Sequence, residues 1–528
     1  MKRKQFIRDA GAGVLLPALL SGFSLRAFGA SPLLEALAQS SVDTDHVLVL
    51  IQLNGGNDGL NTVIPIDQYS ELSNARSNIL IPQNQVLSLS GLSGTGLHPA
   101  MTGLQSLFND GKVRIVQGVS YPNPNYSHFR ATDIWMTASD ANQSLTSGWA
   151  GRYLNYEYPN FPTGYPNTQM PDPLAIQIGS VMSTVFQGPA SGMGMSISDP
   201  TNFYNLVNGI QSPAPATPAG FELSYIRQVA QQTDQYAGVI TAAANSVTQQ
   251  NTYPSNNSLA AQLKIVAQLI AGGLKTRIYM VSMGGFDNHS NQVVAGNTAT
   301  GTHATLLQEL SDAVKAFMDD LTYLNIANRV MGMTFSEFGR RIISNNSLGT
   351  DHGAAAPMLI FGNQVMPGML GTNPVIPAAA LVSDNIAMQY DFRSVYASLL
   401  QDWFCVPNAD LNTILLQNFQ TLPLVNGTDC SAAALHQINQ SAGLDLLRIY
   451  PNPMVTTARV SYTTMGGHIL LQLFNCEGQV VKTLLDREMA AGSFGATLEN
   501  ENYPAGVYYV RLQNQSVQQV KPVVVARG

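Results

Sequence analysis

Several apolar runs of this sequence are followed, within a few residues, by side chains that can bind a metal ion. Asn54, Asp58, Asp287, His289 and Glu337 follow such runs, and two further candidate ligands, Asp351 and His352, lie in the segment that leads into the last run. Carboxylates gathered in one place repel each other unless a cation compensates them, and a bound divalent metal removes that repulsion. Mixed Asp, Glu and His donors suit Zn²⁺, Mn²⁺ or Mg²⁺ better than a sulfur-preferring ion. The sequence therefore predicts a site for one or two divalent ions (Zn, Mn, Mg or Ca).

The order of these residues along the chain predicts how they divide between two ions. Asp58 and Glu337, with Asn54 as a further donor, are assigned to the first ion. The second ion is assigned to Asp287, His289 and His352. Asp351 is an alternative ligand, in which case His352 would donate a hydrogen bond to a ligand instead.

Ser127, His128 and Arg340 are the candidate catalytic residues, and Ser127 is the candidate nucleophile among them. It lies beside His128 in an irregular segment, where a metal could activate its hydroxyl for in-line attack on a phosphorus or sulfur centre. Arg130 and Arg340 are candidates for binding a tetrahedral anion through two hydrogen bonds each. The alternative for Ser127 is a loop or helix-capping serine without a role in chemistry.

These residues require a scaffold that brings the ends of separate strands together. Apolar β-rich runs predict strands at Val47–Leu53, Val113–Gly118, Leu174–Ile178, Arg277–Met283, Val330–Phe335 and Met358–Phe361. Helical patterns predict helices at Pro99–Phe108, Leu223–Ala244, Leu259–Ile270, His303–Leu324 and Asp391–Phe404. We interpret His303 as a surface residue. Continuous Val, Ile and Leu strands with helices between them predict an α/β domain over residues 45–440, with a mainly parallel sheet covered on both faces. Ligands bind at the carboxyl ends of strands in such sheets, so the candidate groups should converge there.

The pattern changes after about Ser441. Short alternating runs, separated by Gly, Asn and Pro turns, cover 458–462, 469–474, 480–485, 507–512 and 520–525. Regular turn signals without helical patterns predict a small antiparallel β-sandwich over residues 445–528.

Residues 1–29 have the pattern of a signal peptide. A basic segment (Lys2, Arg3, Lys4, Arg8) precedes an apolar run, and Ala27 and Gly29 are small residues at the expected cleavage site. The segment is twin-arginine-like, but Lys4 replaces the second arginine, which leaves the twin-arginine and general secretory routes both open. A retained anchor is the alternative. We expect no transmembrane helix after the signal is removed.

Composition limits the partners of the mature chain. Removing residues 1–29 takes away five basic groups and one acidic group, which moves the formal charge from −7 to −11. An acidic chain without a run of Lys or Arg argues against a nucleic-acid partner. Cys405 and Cys430 flank a segment near the end of the first domain, where export would permit a disulfide, and two buried free thiols are the equal alternative.

The C-terminal motifs carry a first family resemblance. Tyr450-Pro451-Asn452-Pro453, then 474–481 (FNCEGQVV) and 504–510 (PAGVYYV), together resemble the type A sorting domain of the type IX secretion system of Bacteroidetes. The resemblance implies that residues 445–528 bind the type IX machinery. It also implies export through the periplasm to the outer-membrane surface or the medium.

The larger domain carries a second resemblance. Its ordered motifs are 53–61 (LNGGNDGLN), 127–129 (SHF), 284–289 (GGFDNH), 336–340 (SEFGR) and 349–353 (GTDHG). They resemble the domain of unknown function 1501 family, which is itself similar to alkaline phosphatases and sulfatases. In that superfamily a histidine ligand would be expected where Phe338 stands. The resemblance implies a metal-dependent hydrolase of phosphate or sulfate esters. The rival hypothesis is a non-catalytic surface or polysaccharide-binding protein that keeps the fold. The expected ligand is a small ester under the first hypothesis and a glycan under the second. The sequence leaves open whether the protein is an enzyme.

Overall fold

A computed structural model describes residues 44–427 apart from 160, 163 and 201–235, together with residue 430 and residues 445–526 apart from 451, 476–478, 501–502 and 514–517. One compact unit covers Asp45–Thr428 and a second contains Asp429–Gly528. The predicted signal peptide lies outside the described residues. No helix in the described ranges has both the length and the apolar character needed to cross a membrane. Cys405 and Cys430 are both disulfide-bonded.

The first unit is organised around a nine-stranded sheet. The strands of this unit, in chain order, are β1 (Val47–Leu53), β2 (Val63–Pro65), β3 (Leu87–Leu89), β4 (Leu92–Leu97), β5 (Val113–Ser120), β6 (Ala175–Ile178), β7 (Met195–Ile197), β8 (Ile278–Met283), β9 (Val330–Phe335), β10 (Arg340–Ser344), β11 (Thr350–His352), β12 (Ala356–Gly362), β13 (Gly368–Leu370) and β14 (Tyr390–Asp391). The large sheet has the order β13-β5-β12-β9-β1-β8-β6-β7, and β14 also pairs with β5. β12 is antiparallel to both of its neighbours, whereas the other pairings of this sheet are parallel. The predicted mainly parallel sheet is therefore confirmed.

Helices cover both faces of this sheet. The α-helices are α1 (Gly59–Thr62), α2 (Tyr69–Arg76), α3 (Thr102–Asn109), α4 (His128–Thr137), α5 (Trp149–Glu157), α6 (Ser258–Ala271), α7 (Thr302–Tyr323), α8 (Phe392–Ser398) and α9 (Leu411–Leu415), and α8 continues as a π-helical turn over Leu399–Trp403. Residues 236–246 are also helical, and the rest of the predicted helix Leu223–Ala244 lies outside the described residues. Alternate residues of β1 contribute to two different cores: Val49 and Ile51 pack on the side of α3, α6 and α7, and Leu48 and Leu50 on the side of α4, α5 and α8. This arrangement explains why β1 is apolar at nearly every position.

The central strands place three loops at one edge of the sheet. β9, β1 and β8 are adjacent and parallel, and they end at Phe335, Leu53 and Met283. Because parallel strands end on the same side, the loops that begin at residues 54, 284 and 336 lie next to one another. Each of these loops carries candidate site residues.

The C-terminal unit is antiparallel, as predicted, but its strands are longer than expected. They are β15 (Asp445–Tyr450), β16 (Thr457–Phe474), β17 (Val480–Glu499), β18 (Gly506–Gln513) and β19 (Gln518–Val525), in one five-stranded sheet. The predicted strands 458–462 and 469–474 are two halves of β16, joined through Gly466 and Gly467 at φ of 98° and 97°. One half pairs with β15 and the other with β18, and apolar residues of both halves share one core. Glycine tolerates these positive φ values, so the strand continues where a turn was expected.

Candidate metal centre

Two glycines allow the three loops at the sheet edge to pack closely. Gly55 and Gly56 follow β1 with φ of 123° and 80°, where other residues are strained. A Cβ atom on Gly55 would lie 2.3 Å from the backbone nitrogen of Asp287, and one on Gly56 would lie 2.3 Å from the ring of Phe338. The loop after β1 can therefore contact the loops after β8 and β9 only because these two positions carry no side chain.

Three imidazoles direct their Nε2 atoms at a single carboxylate, that of Asp287. His289 Nε2 and His352 Nε2 lie 3.1 and 3.2 Å from Asp287 Oδ1, and His128 Nε2 lies 3.6 Å from Oδ2. The Nε2 atoms of His289 and His352 are 2.9 Å apart. One donor atom each from His128, Asp287 and His352 lies within 4.8 Å of the others. We call His128, His289, His352 and Asp287 the histidine cluster.

The opposite nitrogen of each imidazole lies beside an oxygen. The Nδ1 pairs are His128 with Glu337 at 2.8 Å, His289 with Asp351 at 3.2 Å, and His352 with the carbonyl oxygen of Tyr126 at 2.8 Å. Such an acceptor favours a proton on Nδ1 and leaves the Nε2 lone pair available. This is the arrangement by which proteins orient histidine ligands for a metal.

Lone pairs and a carboxylate that face one another require a cation, either a metal ion or protons on the imidazoles. Partial burial raises the pKa of Asp287, but its contacts with Arg340 and His352 outweigh burial and hold that pKa below its usual value. Burial lowers the pKa of His352 despite its hydrogen bonds to Tyr126 and Asp287. Imidazole nitrogens with a carboxylate oxygen form a donor set suited to Zn²⁺ and similar ions, so the residues fit a metal.

Glu337 and Asp351, both predicted as ligands, lie behind histidines of the cluster. Glu337 is buried, accepts a hydrogen bond from the backbone nitrogen of Gly55 at 2.8 Å and lies 3.1 Å from the hydroxyl of Ser336. Asp351 is exposed and accepts a hydrogen bond from Asn345 at 3.2 Å. Their oxygens meet the Nδ1 atoms, so the geometry gives them an orienting role.

Asp58 does not belong to the cluster, which corrects its assignment beside Glu337. Its carboxylate is buried and accepts two hydrogen bonds from Arg76 Nη1, at 2.8 and 3.0 Å, and one from Gln292 at 2.7 Å. Burial raises the pKa of Asp58, but the Arg76 charge outweighs burial and lowers the pKa overall. We call Asp58, Arg76 and Gln292 the buried network.

Asn54 takes part through its backbone. Its nitrogen donates to Met283 and its carbonyl oxygen accepts from Phe286, at 2.9 and 3.1 Å. These bonds connect the end of β1 to the loop after β8. Among the described contacts none involves the Asn54 side chain, so the geometry gives no support for it as a ligand.

The two arginines predicted to bind an anion are occupied by protein acceptors. Arg340 is 1% exposed and donates to four backbone carbonyl oxygens and to Asp287 at 2.7 Å. Arg130 pairs with Asp133 and donates to carbonyl oxygens in the segment that follows α4. Arg340 therefore holds the three loops together rather than facing a substrate.

Ser127 is exposed and caps α4 through its backbone. Its carbonyl oxygen accepts from Ala131 at 2.8 Å, and its side chain makes no capping hydrogen bond. The neighbouring His128 belongs to the cluster, where the sequence had predicted a catalytic residue. Phe338 is buried, and its ring centroid lies 4.9 and 4.4 Å from those of His128 and His352, so it forms an apolar base beneath the two imidazoles.

An open cleft of about 630 Å³ adjoins the cluster. Its lining residues are Tyr126, His289, Arg341, Asp351, His352, Val382 and Ser383. Sequence reasoning missed Arg341, because the motif signal falls on its neighbour Arg340. Alternation along β10 is the signal that distinguishes them, since Arg340 is buried and Arg341 is half-exposed.

Comparisons with known proteins confirm both resemblances. Residues 216–385 match the family described as protein of unknown function (DUF1501), and residues 448–526 match the secretion system C-terminal sorting domain. The type IX sorting domain implies export to the cell surface or the exterior. No curated protein matches the chain.

Solved structures similar to this chain include a protein in the alkaline phosphatase superfamily from Vibrio parahaemolyticus, at 12% identity over 98% of this chain and 91% of that one, with a TM-score of 0.32. The PsFucS1 sulfatase from Pseudoalteromonas sp. is 9% identical over 95% and 89% of the two chains, with a TM-score of 0.31. A phosphonate monoester hydrolase from Silicibacter pomeroyi is 10% identical over 90% and 88%, with a TM-score of 0.34.

Proposed function

We propose that the Asp45–Thr428 unit is a metal-dependent hydrolase of phosphate or sulfate esters, carried by a protein that is exported through its C-terminal sorting domain. One observation carries the proposal: three imidazoles, each with an oxygen at Nδ1, direct Nε2 at the carboxylate of Asp287 beside an open cleft. A structural ion site is usually closed to solvent, whereas a catalytic site keeps an open side. Here Asp287 and His289 have side chains that are 48% and 43% exposed.

His128, His289, His352 and Asp287 would hold the ion, and Glu337 and Asp351 would orient two of the histidines. A bound divalent ion would supply Lewis-acid polarisation of an ester oxygen. Ser127 is our proposed nucleophile because it is exposed and directly precedes His128 in the chain. Phe338, beneath two of the imidazoles, excludes water from that side of the cluster.

A non-catalytic surface or polysaccharide-binding protein is the second candidate. Two observations favour it: the hydrogen-bond donors of Arg130 and Arg340 go to protein acceptors, and no described contact gives the Ser127 hydroxyl a base. In that case the ion would stabilise the three loops without turning over a substrate.

The test measures bound metal and turnover on the same samples of purified full chain. Metal content is determined by elemental analysis, and hydrolysis of aryl phosphates and aryl sulfates is measured with added Zn²⁺, Mn²⁺ or Ca²⁺. We expect wild-type protein to bind metal and hydrolyse one ester class. We expect Asp287→Asn to lose both properties, and Ser127→Ala to keep the metal and lose turnover by at least about 100-fold.

His468→Ala and Ser144→Ala are the matched controls, because both residues are exposed and neither lies in the histidine cluster. Each should retain the metal content and the turnover of the wild type. Metal without turnover on any ester would favour the second candidate. Absence of metal in wild-type protein would leave protons as the cation of the cluster and refute both metal roles.

A further inference from the structure

Arg341 differs from the two arginines that the motifs single out. Its Nη1 donates to the carbonyl oxygen of Ser383, and its guanidinium carbon lies 5.2 Å from the ring centroid of Tyr126. Its other guanidinium nitrogens, Nε and Nη2, have no partner among the described contacts. The side chain is therefore fixed at two points but keeps donors for a further acceptor.

The same cleft wall is apolar beside Arg341. Val382 is 71% exposed and the adjacent Leu381 is 64% exposed, although hydrogen bonds fix the segment that carries them. Leu381 donates from its backbone to Asp384 at 2.8 Å, and Asn385 donates to the Tyr126 hydroxyl at 3.1 Å. Apolar side chains held in solvent at the mouth of a cleft are a common feature of ligand sites.

Charge in the cleft is compatible with an anionic ligand. Asp351 is the acidic lining residue outside the cluster, and its Oδ1 already faces His289 and Asn345 at 3.2 Å each. Arg341 is the lining residue with a permanent positive charge and unused donors. Planar guanidinium groups bind carboxylate, phosphate and sulfate oxygens through paired hydrogen bonds.

From these contacts we infer that Arg341 binds the oxyanion of the ester and that Val382 and Tyr126 contact its organic group. The substrate class is then a phosphate or sulfate monoester of an alcohol with an apolar or aromatic group. This inference rests on the proposed function for the reaction, but it concerns binding and can be tested without turnover.

The test compares two ligands by calorimetry on full chain saturated with Zn²⁺: inorganic phosphate, which lacks an organic group, and phenyl phosphate. We expect Arg341→Gln to lower the affinity for both ligands by about 10-fold to 100-fold. Arg341→Lys should recover only part of the loss, because an ammonium cannot form the paired contact. Val382→Ala should lower the affinity for phenyl phosphate by roughly two-fold to five-fold and leave the affinity for inorganic phosphate unchanged.

Arg487→Gln, an exposed arginine of the C-terminal sheet, is the matched control and should bind both ligands as the wild type does. Circular dichroism and metal content establish that each variant is folded and loaded. If binding survives in Arg341→Gln, or if wild-type protein binds neither ligand, the inference is overturned. If binding depends on Arg341 but the protein hydrolyses no ester, the proposed hydrolase function is refuted and the binding inference stands.

Discussion

Two aspartates that follow neighbouring parallel strands have opposite roles in this protein. Asp58 is 3% exposed and is paired with Arg76, which is fully buried. The Asp287 side chain is 48% exposed and faces three imidazoles as well as Arg340. The buried network and the histidine cluster are thus each centred on an aspartate at the same edge of one sheet. The comparison shows that partners and solvent access, rather than residue type, separate a structural carboxylate from a candidate ligand.

The largest expected effect is on the buried network. Asp58→Ala would leave Arg76 as an unpaired buried charge, which typically costs about 3–5 kcal/mol in the free energy of unfolding. Chemical denaturation followed by circular dichroism measures the loss. Asp319→Ala removes one partner of a surface pair with Lys315 and should cost less than about 1 kcal/mol. The comparison fails if Asp58→Ala is as stable as Asp319→Ala, or if the folded Asp58 variant has lost its metal.

The second expected effect concerns His303, which the sequence suggested lies at the surface but which is 1% exposed. Burial lowers its pKa to about 4, although the Asp58 charge opposes this, and burial lowers the pKa of the nearby His98 to about 3. A histidine with a depressed folded-state pKa stays neutral in the folded protein and takes up a proton on unfolding. The free energy of unfolding should therefore fall as the pH drops from about 6.5 towards 4, on the order of 3 kcal/mol for His303.

Denaturation at several pH values in the presence of a chelator measures the slope of the free energy of unfolding against pH without interference from metal binding. His303→Gln should flatten the slope between pH 6.5 and 4. Ser144→Ala, which changes an exposed residue that does not titrate, should leave it unchanged. An unchanged slope in His303→Gln would show that this histidine does not titrate with unfolding.

The smallest expected effect tests the distinction between the ligands of the histidine cluster and the groups that orient them. Glu337→Gln keeps the size of the side chain but removes the charge beside His128 Nδ1, and we expect metal affinity to fall by about 10-fold to 100-fold. Competition with a chelator of known affinity measures this change. Glu488→Gln, an exposed residue of β17, should bind metal with wild-type affinity. Complete loss of metal in Glu337→Gln would instead make Glu337 a ligand, as the sequence first suggested.

Much of the fold follows from local patterns. β1 and β9 have their predicted bounds, because continuous apolar runs of that length form strands only when both faces are buried. β16 is the contrasting case, since two glycines read as a turn but instead allow one strand to continue through a bend. A glycine signal specifies a permitted backbone conformation, and the rest of the sheet decides how that conformation is used.

The site was predictable as a set of residues and not as a set of contacts. The motifs named His289, His352 and Asp287, and they named His128 in a different role. They did not distinguish Arg340, which donates its hydrogen bonds to carbonyl oxygens, from Arg341, which lines the cleft. Adjacent residues of a strand point to opposite sides, so the contacts of each side chain depend on what lies on its own side.

The sequence by itself determined the order of strands and helices, the meeting of three loops at one sheet edge, and the supply of imidazole and carboxylate groups there. Only the tertiary structure decided that Arg76 neutralises Asp58 and that Glu337 orients His128. The physical reason is that strand formation depends on near neighbours in the chain, whereas a carboxylate takes its role from charges and donors brought to it by distant segments. His128 and Glu337 are 209 residues apart in sequence and 2.8 Å apart in space.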